Sequence, residues 1–292
     1  MKAAAFSYSR PKRLTEVLQL LQEHGDETRL LAGGQTLLAT LNMRLSEPAL
    51  LIDLQSVTEL KGLVMQGKFL RIGALVTHTE IEDSPLVAQH TPLLRAAAPH
   101  IAHRAIRNLG TLGGSIAYGD PAAEWPACLL ALNGVVVVRS LKAERRIAAD
   151  DFFTGLYTTA LAADEIIVAC DFPLARAEQV FHFTELARRH GDYAVVGLAA
   201  SAHMHQGHVN SVRLAWLGVG STPVRALAAE QALTDQYLNA DSLAKAVDAL
   251  RSELQPLPDL THSEAAKRQM ASVLLKRTLQ AWMQAATHRA VA

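Results

Sequence analysis

Two diglycine bends, each closed by a hydroxyl residue, constrain this chain more than any other feature. The first, Ala32-Gly33-Gly34-Gln35-Thr36, follows the apolar run Arg29-Leu30-Leu31-Ala32, which reads as a short buried strand. It leads into Leu37 to Met43, whose composition is helical. The second, Thr111-Leu112-Gly113-Gly114-Ser115, follows a long helical stretch from about Leu86 to Ala102 and precedes another from Ala122 to Leu132. Adjacent glycines let the backbone adopt positive φ and come close to a ligand, so successive N–H groups can converge on one anion. At a helix start the partial positive charge favours the same anion, and each charge-assisted hydrogen bond contributes roughly 1.5–3 kcal/mol. Two such bends could clamp a diphosphate. Two ordinary tight turns are the plainer reading, and spacing alone does not decide between them. The sequence has neither a G-x-G-x-x-G opening a βαβ unit nor a P-loop. Gly218-Val219-Gly220 lacks a third glycine and runs into Ser221-Thr222-Pro223, so neither a Rossmann nor a Walker site is expected.

The 292 residues suggest about two domains, or three small ones. Leu14, Val17, Leu18 and Leu21 recur at helical spacing up to Gly25. Further strands are expected at Leu50 to Asp53, Phe69 to Ile72, Val135 to Val138 and Glu165 to Ala169, and Thr77-His78-Thr79-Glu80 has capping-box spacing. Pro173 and a switch to Ala, Arg and Glu mark a boundary near Arg176. Beyond it come strands at Val180 to Thr184, Tyr193 to His205 and Val209 to Leu217, then helices near Ala226 to Leu233, Leu243 to Leu250 and Ser263 to Ala286. Sheet first and helices after imply an α+β unit. The 28 basic residues equal the 28 acidic ones, so net charge draws the chain toward neither nucleic acid nor an anionic membrane. No run reaches the length of a membrane span, and a cytoplasmic location is expected. Cys128 and Cys170 are isolated, which signals neither a disulfide framework nor a metal site.

Several other residues have plain explanations. His203-x-His205, with His208 beyond Gly207, could approach a metal but reads better as a polar strand face. His100-x-x-His103, beside Arg104 and Arg107, reads as solvated surface. Asp151 fits a helix or turn cap. Ser115, His100 and Asp120 lack the nucleophile elbow of a hydrolase. No catalytic residue and no metal ligand is therefore assigned on this chain.

The two bends, together with Ile106-Arg107-Asn108-Leu109-Gly110 and Ser115-Ile116-Ala117 flanking the second, and with Asp120-Pro121-Ala122-Ala123-Glu124-Trp125-Pro126, resemble the FAD-binding medium subunit of the carbon-monoxide dehydrogenase and xanthine dehydrogenase family, the molybdenum hydroxylases. Asp151-Phe152-Phe153-Thr154-Gly155, Arg188-Arg189-His190-Gly191-Asp192-Tyr193-Ala194 and Leu217-Gly218-Val219-Gly220-Ser221-Thr222-Pro223 extend the resemblance, in order, over essentially the whole chain. It implies an α+β fold: a two-lobed FAD-binding domain of the vanillyl-alcohol-oxidase (PCMH) type over residues 1–175, with lobes of about 1–57 and 58–175. A C-terminal α+β domain over 176–292, a three-stranded antiparallel sheet with helices, would follow.

By the same resemblance, Ala32, Gly33, Gly34, Gln35 and Thr36 with Thr111, Leu112, Gly113, Gly114 and Ser115 would hold the diphosphate. Glu124 would approach the adenosine ribose, and Leu161 and Tyr193 would lie near the isoalloxazine. Neither bend carries a linking histidine, so the FAD is expected to be non-covalent. The chain departs from relatives with Asn where Ser115 stands, and from those with Lys shortly before the double arginine, where Thr184-Glu185 stands here. Glu185 cannot lend positive charge to a reduced flavin; Arg188 or Arg189 could do so, or could equally be solvated.

The resemblance implies a heterotrimer, paired into a dimer of heterotrimers. The molybdenum cofactor would sit on a large subunit and [2Fe-2S] clusters on a small subunit, and this chain would pass electrons from the clusters through FAD to an external acceptor. On the residues alone, a free-standing FAD-dependent oxidoreductase with its own substrate site near Tyr193 and a non-redox nucleotide-binding scaffold remain open.

Overall fold

The computed structural model describes residues 2–291, with side chains from 2 to 285. The fold is α+β. At its start, β1 (Ser7–Ser9), β3 (Leu50–Asp53) and β2 (Thr28–Leu31) form a parallel sheet in the order β1-β3-β2. Between β1 and β2 runs α1 (Leu14–His24), whose Leu14, Val17, Leu18 and Leu21 are buried, and Gly25 ends it at a φ of 49°. That stripe packs with Leu50, Ile52 and Leu54 into one core. A short helix α2 (Leu37–Asn42) joins β2 to β3.

An antiparallel sheet of order β4-β5-β10-β6-β7 follows, built from β4 (Leu63–Gln66), β5 (Phe69–Gly73), β6 (Val135–Arg139), β7 (Glu144–Ala148) and β10 (Ile166–Pro173). Its core strand carries Asp171, 1% exposed, which is held by bidentate Arg71 and by Arg146. Helices α3 (His78–Asp83) to α8 lie between β5 and β6. The expected long helix from Leu86 to Ala102 is instead α4 (Pro85–His90) and α5 (Pro92–Ala97) with a single 3-10 turn after it. Pro92 causes the break: it cannot donate to the preceding turn, it disfavours helical geometry at the residue before it, and Thr91 sits at φ −141°. Then come α6 (Arg104–Arg107), α7 (Leu112–Tyr118) and α8 (Glu124–Ala131). After β7, the turn α9 (Ala149–Phe152) and a ribbon of β8 (Phe153–Gly155) and β9 (Thr158–Thr159) lead to β10.

The C-terminal part has three long antiparallel strands, β11 (Gln179–Ala187), β12 (Ala194–His205) and β13 (His208–Leu217). Two-residue strands β14 (Val224–Arg225) and β15 (Gln236–Tyr237) extend β13 at its opposite ends. Helices α10 (Leu227–Leu233), α11 (Ala240–Glu253) and α12 (Glu264–Val291) complete the chain. Strand β12 is buried on both faces. Val196, Leu198, Ala200 and Ala202 meet the core of the last helices, whereas Ala199 joins the other core and Ser201 donates to the Ala131 carbonyl of α8 at 2.7 Å. All eight residues of α8 are buried as a result.

Candidate functional site

Strand β2 leaves its sheet at Ala32, and Gly34 turns the chain at a φ of 73°, a left-handed conformation that glycine adopts without strain. Gln35 Nε2 closes the bend by donating to the Gly33 carbonyl at 3.0 Å. The second bend is anchored from below. His78 N donates to the Gly110 carbonyl, Leu112 N to Val76 O and Gly113 N to Ala74 O, all within 3.0 Å. Thr111 caps α7 by accepting from Gly114 N at 3.1 Å.

The tertiary structure brings the two bends into contact. A Cβ on Gly33 would lie 2.1 Å from the Leu109 carbonyl oxygen and 2.8 Å from Gly110 Cα, and a Cβ on Gly113 would strike Ala74 at 2.5 Å. Both glycines are therefore needed for backbone against backbone, not only for a ligand. The bends also differ in their donors. Among the described residues, the N–H groups of Gly33, Gly34, Gln35 and Thr36 find no acceptor, whereas those of Leu112, Gly113, Gly114 and Ser115 are all engaged. The expectation of two equivalent sets of converging amides is corrected accordingly. The first bend offers main-chain donors. The second offers shape, the Thr111 amide and the hydroxyls of Thr111 and Ser115, because its amides from Leu112 to Ser115 are spent on its own cap and on the segment from Ala74 to Val76.

Both bends border one cleft of about 670 Å3, within the roughly 300–1,000 Å3 of cofactor pockets. Glu124, Leu161 and Tyr193, expected at such a site, all line it. Glu124 begins α8 and is 8% exposed. Burial first, then the negative charges of Glu185 and Asp120, push its carboxyl from an ordinary 4.5 up to about 8. Leu161 sits on a segment fixed by Glu165, which pairs bidentately with Arg145 at 2.6 Å and accepts from Ala162 N at 2.9 Å. Tyr193, 65% exposed, stands at the mouth. So do Tyr118 and Tyr157, whose ring centroids lie 5.0 Å apart. These two were not legible as site residues in the sequence. Neither were His78 and Glu165, although the capping spacing did place His78 at a helix start.

Charge in the cleft is lopsided. Asp120 and Asp192 border it as carboxylates, with Glu165 neutralised by Arg145 and Glu124 holding its proton, against Arg29, whose guanidinium already donates to the carbonyls of Asp26 and Thr28. Glu185 packs beside His100, with Nδ1 3.5 Å from its Oε1, and its Oε2 is buried without a partner. Arg188 and Arg189 are exposed and do not border the cleft, so neither supplies the charge that a lysine would. Arg107, expected at a solvated surface, is buried. It donates to Glu82 at 2.8 Å and to the Ile101 and Ala102 carbonyls at 3.0 and 2.9 Å, tying down the segment before the second bend. His205 pairs with Glu178 and His203 with Asn210 on an exposed strand end. Among the described residues no group of three His, Cys, Asp or Glu could hold a metal ion. No described helix is long and apolar enough to cross a membrane.

Residues 4–175 match the family model described as the FAD binding domain in molybdopterin dehydrogenase, and residues 181–282 match the CO dehydrogenase flavoprotein C-terminal domain. The nicotine 6-hydroxylase medium subunit of Paenarthrobacter nicotinovorans is 39% identical over 96% of this chain and 98% of its own length. A chain in the crystal structure of quinoline 2-oxidoreductase from Pseudomonas putida 86 superposes with a TM-score of 0.92 at 36% identity, covering 98% of this chain and 99% of that one. A chain of the carbon monoxide dehydrogenase from Hydrogenophaga pseudoflava gives the same TM-score at 35% identity, over 95% and 96%.

Proposed function

Because the chain belongs to the family of FAD-binding medium subunits of the molybdenum hydroxylases, we propose that it holds one non-covalent FAD in this cleft and serves as the electron-transfer subunit of a cytoplasmic three-chain complex. The apposition of the two diglycine bends, with the amides of Gly33 to Thr36 unengaged, carries the assignment. Those amides, with the hydroxyls of Thr36, Thr111 and Ser115, would hold the diphosphate. Ala32, Leu112, Gly113 and Gly114 would shape its walls. Main-chain N–H groups converging on an anion hold it by their dipoles, with no cationic side chain required.

Glu124 would meet the adenosine ribose, where a carboxyl that keeps its proton at neutral pH can both donate and accept. Leu161, fixed through Glu165, and Tyr193 would border the isoalloxazine. Bound there, FAD supplies exchange between single electrons and electron pairs, which no side chain here can do. The protein's part is to bind it, orient it and keep water from its buried half.

Relatives are named as medium subunits and medium chains, which supports placing the molybdenum cofactor on a large subunit and the [2Fe-2S] clusters on a small subunit, in a dimer of heterotrimers. Isolation of the complex followed by titration of the flavin-free chain tests both parts. The expected result is about one FAD per chain, with visible flavin bands restored by FAD and far less by riboflavin, which lacks the diphosphate. A chain that takes up no FAD overturns the site, and a lone chain with complete substrate turnover overturns the subunit role.

A further inference from the structure

His78 opens α3 directly after its Thr77 cap, and its ring turns inward, leaving the residue 6% exposed. One ring nitrogen is committed. Trp125 Nε1, which can only donate, gives its hydrogen bond to His78 Nδ1 across 2.9 Å, and Trp125 is itself 1% exposed. A nitrogen that accepts from an indole carries no proton, so the neutral ring bears its hydrogen on Nε2. Burial, helped by the charge of Arg107, holds the imidazole at a pKa of about 3 and keeps it neutral.

Nε2 has no hydrogen-bond partner among the described residues. It lies 2.7 Å from where a Cβ on Gly110 would stand, so glycine at that position makes room for the ring. His78 borders the cleft beside Ala74, Gly110, Thr111 and Gly113, on the wall of the second bend. Since Nδ1 is taken by Trp125, Nε2 is the ring nitrogen left to serve a ligand in the cleft. The fold therefore maintains, through a buried tryptophan, one fixed neutral donor on the wall where the amides from Leu112 to Ser115 are spent.

Resting on the reading that the cleft takes FAD, we propose that His78 is a cofactor-binding residue whose Nε2–H, locked in that tautomer by Trp125, donates to an oxygen of the diphosphate. It supplies, from a side chain, the donor that the second bend's engaged amides cannot.

Binding of FAD and of ADP-ribose, which keeps the diphosphate and lacks the flavin, to the flavin-free full chain tests this. His78→Phe keeps an aromatic ring and removes the donor; His78→Gln reaches a similar point with an N–H. The expected result is a loss of about 10- to 100-fold in affinity for both ligands in His78→Phe and a loss of less than about fivefold in His78→Gln. On the unsubstituted protein, the His78 Nε2 nitrogen resonance should move when ADP-ribose is added, a readout that needs no variant. Equal losses in the two variants, a loss confined to FAD, or an unmoved resonance would each overturn the proposal while FAD binding by the unsubstituted chain stands. Absence of that binding would instead overturn the site itself.

Discussion

At the scale of single residues, the two bends make unequal demands on their glycines. Gly33 faces the Leu109 carbonyl at 2.1 Å from its would-be Cβ, while the Cβ of Gly114 would meet Thr111 Oγ1 at 2.9 Å and Ala32 Cβ at an ordinary 3.7 Å. Backbone cannot yield as a side chain turning about χ1 can, so Gly33→Ala should separate the bends and cost about 1–3 kcal/mol of stability together with most FAD retention. Gly114→Ala should keep the fold and bind FAD more weakly. Thermal unfolding and flavin titration of both variants check this ranking, and a reversed order would contradict the apposition.

Glu124 makes a pH-dependent demand. Its folded carboxyl holds a proton up to about 8, whereas in the unfolded chain it ionises near 4.3. The sign follows directly: the folded state binds the proton more tightly, so its contribution is complete below the unfolded value and is lost as pH rises through 8. Glu124→Gln removes that loss. The flavin-free variant should exceed the parent in stability by a few kcal/mol at about pH 9 and match it more closely near about pH 5. Denaturant titrations at the two pH values measure the difference, and equal gains at both would show that the carboxyl is not held neutral.

Elements differ in how far local rules reach. The stripe of α1, the Thr77 capping box and the strand at Leu50 to Asp53 were readable because each depends on side chains within a few residues of one another. The break between α4 and α5 at Pro92 was also a local signal, and the apolar run from Leu86 onward masked it. Helix α8 is a different case. With every residue buried, it has no polar face whose period could announce its neighbours. Its burial comes from β12 on one side and the second sheet's core on the other. Strands β1, β4, β7, β8, β9, β14 and β15 went unread because they are short edge or ribbon pieces, with pairing rather than composition making them strands.

Across the whole molecule, the C-terminal sheet is fastened to the region that carries the cleft. Arg213 of β13 donates to the Leu130 carbonyl at 2.7 Å and to Asp150 at 2.8 Å, and Arg225 shares Asp150 and reaches Glu230. Arg213→Ala should remove about 1–3 kcal/mol, seen as a lower unfolding temperature and faster proteolysis between the two regions. An unchanged unfolding profile would show that apolar contact alone holds them. The sequence by itself determined where the backbone bends, which residues form the two motifs and which family they resemble, because glycine conformation, caps and apolar periods are local properties. Only the tertiary structure decided that Gly33 rests on Leu109, that the first bend keeps its amides while Leu112 and Gly113 of the second spend theirs on Val76 and Ala74, and that Trp125 occupies Nδ1 of His78. A hydrogen bond between distant segments is settled by which groups folding brings within reach, and no local pattern records that.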